Sequence, residues 1–185
     1  MIVLTGPSAS GKTATCFYLQ SHYGIKKVVT HTTRQMRVGE KNDVDYHFVT
    51  VEEFLRMKEN GEFIETVFYN GNYYGTSKKE VGIDKGLVVE LEGAKTYRSL
   101  NDPKTVIFYM EADESIRKER MLERGDDPEK VKSRLVNDKS AFDLGDDFDR
   151  LIDVKVDTVS HNVEDVAAFI YDKYRNILRE RGIEF

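Results

Sequence analysis

The sequence predicts an α/β fold: a parallel-sheet core with helices on both faces and an inserted mixed-β subdomain. Three observations predict it. Apolar strand-like runs alternate with segments of helical period along most of the 185-residue chain, the pattern of a parallel sheet covered on both faces. The first run, Ile2–Thr5, leads straight into a glycine loop, G-P-S-A-S-G-K-T, from Gly6 to Thr13. From about Arg34 to Thr76 the alternation breaks into short strands around one helix, as an insertion would.

The elements follow in order. Lys12 to about Tyr23 has a helical pattern, and Lys27–His31 is the next strand-like run. Inside the insertion, Val51–Glu59 predicts a helix, and Asn70-Gly71 sits where a hairpin should turn. Gly86–Leu91 and Thr105–Met110 are two further buried-type strands. A helix is expected over Ala112–Glu123. Asp127-Pro128 then supplies an N-cap and a proline at the first position of the next helix. A strand at Leu151–Val156 follows. The last helix starts near Asn162 and aligns Val163, Val166, Ile170, Tyr174 and Ile177 on one face. With no repeat, low-complexity tract or linker, a single domain is expected.

Bulk properties narrow the function. The net charge of −5 argues against a broad nucleic-acid-binding face, so an anionic ligand must be met by a few placed cations. The opening M-I-V-L-T-G is too short and lacks the basic start of a signal peptide, and no apolar run reaches membrane-spanning length. With one cysteine, Cys16, an intrachain disulfide and a thiolate metal cluster are both excluded, and cytoplasmic localisation is expected. Cys16 is expected to be a small buried residue. His22, His31, His47 and His161 lack metal-ligand spacing.

The glycine loop carries the first chemistry. Gly6, Gly11, Lys12 and Thr13 match G-x-x-x-x-G-K-[ST], with a strand before and a helix after. Successive backbone N–H groups and a helix N-terminus would face phosphate oxygens, so the backbone must come close. Candidate contacts to a triphosphate are therefore Gly6, Ser8, Ala9, Ser10, Gly11, Lys12, Thr13 and Thr15. Lys12 would neutralise the β- and γ-phosphates, and the Thr13 hydroxyl could ligate Mg²⁺. The motif thus predicts binding of a nucleoside triphosphate, and no guanine-reading N/T-K-x-D motif of a switch GTPase accompanies it.

An acceptor site is suggested by Thr30 to Phe48, T-H-T-T-R-Q-M-R-V-G-E-K-N-D-V-D-Y-H-F. Two guanidinium forks, Arg34 and Arg37, with the phenol of Tyr46, suit a phosphate monoester. Further on, G-E-F-I-E-T-V-F-Y-N-G-N-Y-Y-G-T-S brings Glu65, Tyr73, Tyr74 and Thr76. These stretches make the chain similar to the guanylate kinases, whose members carry GPSGxGK[ST], S-x-T-T-R-x-x-R-x-G-E-x-x-G-x-D-Y-x-F, GEFxE and GNYYGT in this order.

The resemblance spans nearly the whole chain and implies ATP-dependent phosphorylation of GMP, with Mg²⁺, on a P-loop fold. It implies that Arg34, Arg37, Tyr46 and Tyr74 hold the GMP phosphate, and that Glu65 reads the base with Thr76, Thr30 and an acid near Glu90. The chemistry is coherent: guanine offers N1–H and a 2-amino group to one carboxylate, where adenine presents a bare N1 acceptor. R-K-E-R-M-L-E-R-G-D-D-P, with Arg134 beyond it, resembles the family's lid, its loop about one residue shorter. The resemblance implies that Arg120, Arg124 and Arg134 form the lid, with Lys12, Arg34, Arg124 and Arg134 acting in catalysis. Arg117 and Lys118 are expected on a solvated helix face. The implied division is a core of 1–33, 85–119 and 138–185, a GMP-binding subdomain of 34–84 and a lid of 120–137. The expected partners are ATP and GMP, with neither nucleic acid nor membrane, and the sequence leaves the oligomeric state open.

The sequence also departs from the family pattern. Ala9 replaces the usual third loop glycine, which restricts the backbone. Thr30 stands for a serine, Asn42-Asp43 for a glycine turn and Val44 for a small residue. Between Thr76 and Gly93 the usual longer helix and D-x-D-x-Q-G strand give way to a shorter segment ending V-V-E-L-E-G. One alignment makes Glu90 the base-side acid and leaves Val88 in the other acidic position. A second makes Glu90 the Mg²⁺-side acid and Glu92 the base contact. Val156-Asp157-Thr158 stands where the family has an Asn-Asp pair near the donor adenine, and a plain strand-end cap explains it equally well. These changes keep two alternatives: a kinase of the same fold for dGMP or another phosphate acceptor, and a binding module without catalysis. The retained Lys12 and lid arginines argue against the module.

Overall fold

The computed structural model describes residues 1–36, 38–69, 71–142 and 148–185. The chain runs through β1 (Ile2–Thr5), α1 (Lys12–Tyr23), β2 (Lys26–Lys27), β3 (His31–Thr32), β4 (His47–Phe48) and α2 (Val51–Glu59). It continues through β5 (Phe63–Tyr69), β6 (Asn72–Ser77), β7 (Lys85–Val88), α3 (Leu91–Ser99) and β8 (Val106–Glu111). The last part is α4 (Glu114–Glu123), α5 (Pro128–Ala141), α6 (Phe148–Leu151), β9 (Val154–Asp157) and α7 (Val163–Glu180).

Two sheets organise these elements. The core sheet has the order β2-β7-β1-β8-β9, and all its pairings are parallel. Alternation along β1 and β8 decides what each face buries. Ile2, Leu4, Val106, Phe108 and Met110 pack with Cys16 and Leu19 of α1 and with Val166, Ala167, Ile170, Tyr174 and Leu178 of α7. Val3 and Ile107 point the other way, into a cluster with Leu91, Ala94 and Tyr97 of α3 and Leu151 of α6. Helices therefore cover both faces, as the α/β alternation requires. None of the described helices is long and apolar enough to cross a membrane.

The second sheet has the order β4-β3-β6-β5 and is mixed, parallel between β3 and β4 and antiparallel elsewhere. It is small, with Phe54 of α2 stacked on Phe63 and Tyr73 as its main apolar support. The β5–β6 hairpin closes at Gly71, whose φ of 78° is the left-handed conformation a tight turn needs. Asn70, the other predicted turn residue, lies outside the described residues. Asp43 takes φ 62°, so an aspartate fills the left-handed position where a glycine turn was missing from the sequence pattern.

The structure corrects several sequence expectations. The run Lys27–His31 is not one strand. Lys26 and Lys27 pair with β7, and the chain then crosses to the second sheet, which His31 enters. The run Gly86–Leu91 ends as a strand at Val88, because Glu90 caps α3 and Leu91 is its first residue. The strand expected from Leu151 starts at Val154, Leu151 being the end of the short α6. Val163 is exposed rather than on the core face of α7, where Val166, Ala167, Ile170, Tyr174 and Leu178 are buried. Other expectations match: Asp127 accepts a hydrogen bond from Lys130 N as N-cap, with Pro128 at the start of α5.

Candidate active site

The loop from Gly6 to Thr13 joins β1 to α1 at the carboxyl end of the core strands, where α/β sheets place their ligands. Its backbone explains its glycines. Gly6 has φ 144°, and a Cβ there would strike the backbone carbonyl of Met110. Gly11 caps α1 at φ 91° without a side-chain hydrogen bond, so no side chain competes with an anion for the amides of the first turn. Thr13 is exposed in that turn, whereas Ser10 and Thr15 are buried. Lys12 Nζ reaches back and donates to the carbonyls of Gly6 at 2.6 Å and Pro7 at 2.8 Å. Burial lowers its pKa below the usual lysine value, with Glu90 and Asp138 opposing that shift.

Two helices flank the loop. Arg120 of α4 donates to Thr158 O at 2.7 Å, to the Thr158 hydroxyl at 3.4 Å and to Ala9 O at 3.2 Å. Thr158, the residue that follows β9, is thereby tied to the loop's helical neighbour. Arg124 grips Asp126 through Nε and NH2 at 2.9 and 2.6 Å, and Arg134 reaches the same carboxylate at 2.9 Å. The hydrogen bond from Arg124 is the chief reason that the Asp126 carboxyl sits below the ordinary aspartate range. Arg124 also belongs to the charges that act on Lys12. The three arginines thus share the α4–α5 hairpin, Arg120 at the loop and the other two on Asp126. Arg117 corrects the expectation of a solvated face: it is only 6% exposed and pairs with Asp138 of α5 at 2.8 Å.

The second sheet gathers the predicted acceptor residues. The Arg34 guanidinium lies 5.5 Å from the Tyr46 ring centre and 5.6 Å from that of Phe48, and bonds Glu40 at 2.7 Å. Tyr46 and Tyr74 meet edge-on with ring centres 6.2 Å apart. Arg37 lies outside the described residues. Thr30 is half-buried, its carbonyl accepting from His47 N. Glu65 and Thr76 oppose each other across β5 and β6, and the Thr76 hydroxyl donates to Glu65 Oε1 at 2.7 Å.

Helix α3 joins the two halves. Glu90, at its N-cap, is the foremost acidic group acting on Lys12. Tyr97, two turns on, has its phenol beside Thr76 and Glu65, with burial raising its pKa. Glu92 faces away, 82% exposed and bonded to Lys95 at 2.6 Å. Sequence reasoning missed Tyr97 because it missed α3. Glu40 was present in the quoted motif, and its partner Arg34 was its signal. Asp138 had no local signal at all.

A triphosphate-type loop beside an arginine-bearing helical hairpin, with an arginine–tyrosine–carboxylate sheet across α3, defines a phosphotransferase of the nucleoside monophosphate kinase class. The guanylate kinase family model matches residues 1–173. A guanylate kinase of Anaplasma phagocytophilum is 37% identical, over 97% of this chain and 85% of the relative. One from Desulfotalea psychrophila is 38% identical over 74% of this chain and 72% of the relative. The crystal structure of the Anaplasma guanylate kinase superposes with a TM-score of 0.63 and 26% identity, covering 95% of this chain and 84% of that one. The chain belongs to the guanylate kinase family.

Proposed function

We propose that the protein transfers the γ-phosphoryl group of ATP to GMP, giving ADP and GDP. A GMP phosphate oxygen attacks the γ-phosphorus, a new P–O bond forms, and the bond to the β–γ bridging oxygen breaks to release ADP. The reaction needs positioning and charge stabilisation more than covalent help from the protein. In this reading the amides of Gly6 to Thr13 cradle the triphosphate, and Lys12 leaves its carbonyl partners for the β- and γ-oxygens. Arg34, Arg37, Tyr46 and Tyr74 hold the GMP phosphate, Arg34 exchanging part of its bond to Glu40 for it. Arg124 and Arg134 swing from Asp126 onto the transferring group, while Arg120 stays at the loop.

Glu65 accepts guanine N1–H and the 2-amino group, and Thr76 orients its carboxylate. This hydrogen-bonded pair, set across β5 and β6 at the end of the hairpin away from its turn, is the observation that carries the choice of GMP. Thr30 lines the same sheet. The influence of Glu90 on Lys12 and the outward-facing Glu92 support Glu90 as the acid on the phosphate side, with base reading left to Glu65 and Thr76. The exposed Thr13 hydroxyl and the Glu90 carboxylate are hard oxygen donors that suit Mg²⁺. When bound, the ion would neutralise the charge developing on the β- and γ-oxygens. We place the acceptor subdomain at 34–84 and the lid at 120–137, closing on the core to exclude water.

A coupled assay with ATP and Mg²⁺ against GMP, dGMP, AMP, CMP, UMP and dTMP at equal concentration tests the proposal. Turnover of GMP, alone or with dGMP, is expected. Preference for any other acceptor would move the protein to a different substrate within its fold, and no turnover with any of them would overturn the reading.

A further inference from the structure

Ala9 has φ 60°, a conformation that an alanine resists because its Cβ crowds the following carbonyl. The chain around it is restrained on every side. Asp138 accepts from Ser8 N at 2.8 Å and from the Ser8 hydroxyl at 3.3 Å. Arg117 NH1 donates to Asp138 at 2.8 Å and to Ser8 O at 3.4 Å, and its Nε donates to Ala112 O. Both backbone groups of Ser8 are thus held by one ion pair, whose side chains are 7% and 12% exposed. On the other side, Arg120 holds Ala9 O, and the Ala9 methyl packs on Met121, Val131 and Leu135. A strained residue persists where its surroundings over-determine it.

We propose that Arg117 and Asp138 are positioning residues, a clamp on Ser8 that keeps Ala9 left-handed and so keeps the loop shaped for a triphosphate. The pair also sets the lid. Asp138 is one helical turn from Arg134 on α5, and Arg117 of α4 is two turns before Arg124 at that helix's C-cap, so each partner of the clamp lies on the side of its helix that carries a lid arginine. Without the clamp, Ala9 relaxes to negative φ and the amides of the loop turn away from the phosphates. With glycine at position 9 the left-handed form costs nothing, and the clamp becomes dispensable.

The inference rests on the triphosphate-loop reading, and one experiment separates the two. Binding of a non-hydrolysable ATP analogue with Mg²⁺ is measured by calorimetry on the full chain, in four proteins: wild type, Ala9→Gly, Arg117→Leu/Asp138→Leu, and that pair with Ala9→Gly added. Removing both charges together leaves no buried ion unpaired. The double substitution should weaken binding about tenfold when Ala9 is present, the population ratio that left-handed alanine strain implies. With Ala9→Gly the same double substitution should cost less than about threefold, since glycine carries no such strain. In turnover, KM for ATP should rise with KM for GMP unchanged. Equal losses in the two backgrounds, or binding as tight as wild type, would overturn the clamp. Should the double variant fail to fold, Asp138→Asn carries the same comparison, because it keeps an acceptor for Ser8 and gives up the ion pair. Its loss must again vanish with Ala9→Gly. A wild type that binds no ATP analogue would instead sink the triphosphate-loop reading, and the clamp with it.

Discussion

The two halves of the site are built to different standards. The glycine loop is tied down on several sides and backed by the core sheet: Lys12 on two carbonyls, Ser8 between Arg117 and Asp138, Arg120 on Ala9 and Thr158. The acceptor sheet is thin, supported by a buried phenylalanine stack, and carries exposed Val67 and Phe68. A donor whose triphosphate is the same for every acceptor is served by a fixed cradle. An acceptor that must enter, be recognised and leave is better served by a light element that can move as a unit, and few buried contacts are what low local stability requires.

The sharpest way to break this contrast is at its rigid end. Lys12→Ala should lower kcat/KM about 10³-fold, since it deletes the half-buried cation that we assign to the β- and γ-phosphates. The protein should still unfold near the wild-type temperature, because Lys12 bonds only loop carbonyls. A loss of both activity and folding would show that the loop is part of the core rather than a cradle mounted on it.

Phe54→Ala probes the light end. Phe54 is fully buried against Phe63 and Tyr73, and its truncation should cost about 3 kcal/mol. If the sheets are independent in stability, hydrogen exchange should accelerate in β5 and β6 while β1 and β8 keep their protection. Uniform acceleration in both sheets would erase the distinction drawn here.

The same contrast explains what was legible in the sequence. Gly6, Gly11, Lys12 and Thr13 were readable because their spacing is a local consequence of turning a strand into a helix around phosphate. Arg34, Tyr46, Glu65 and Thr76 were found by motif, and their assembly into one sheet required pairings that sequence does not print. Helix α3 was hidden because Leu91, Ala94 and Tyr97 begin its buried stripe immediately after the apolar β7, so one apolar run contained both elements. Arg117 read as a surface charge because its partner Asp138 lies in another helix. Burial by a distant partner leaves no trace in local periodicity.

Within the acceptor sheet, Glu65→Gln should lower kcat/KM for GMP about 10²-fold and leave KM for ATP unchanged. The amide keeps the size of the side chain but places an NH₂ where an acceptor is needed. Adenine nucleotides should lose far less, so the GMP:AMP ratio is the quantity to measure. An unchanged ratio would move base reading away from Glu65.

The smallest effect expected lies beneath the loop, at Cys16. It is 1% exposed, packed between α1 and the core sheet, and burial pushes its thiol up to about 11. At pH 8 the thiolate is therefore scarce as well as inaccessible, and alkylation by iodoacetamide should be slow in the folded protein and prompt in urea. The comparison with the acceptor sheet gives this measurement its use. Because Cys16 reports on the core sheet alone, its labelling rate in Phe54→Ala should stay at the wild-type value while β5 and β6 exchange faster. Faster labelling there would mean that loosening the acceptor sheet also opens the core under the phosphate loop, and that the two halves form one cooperative unit.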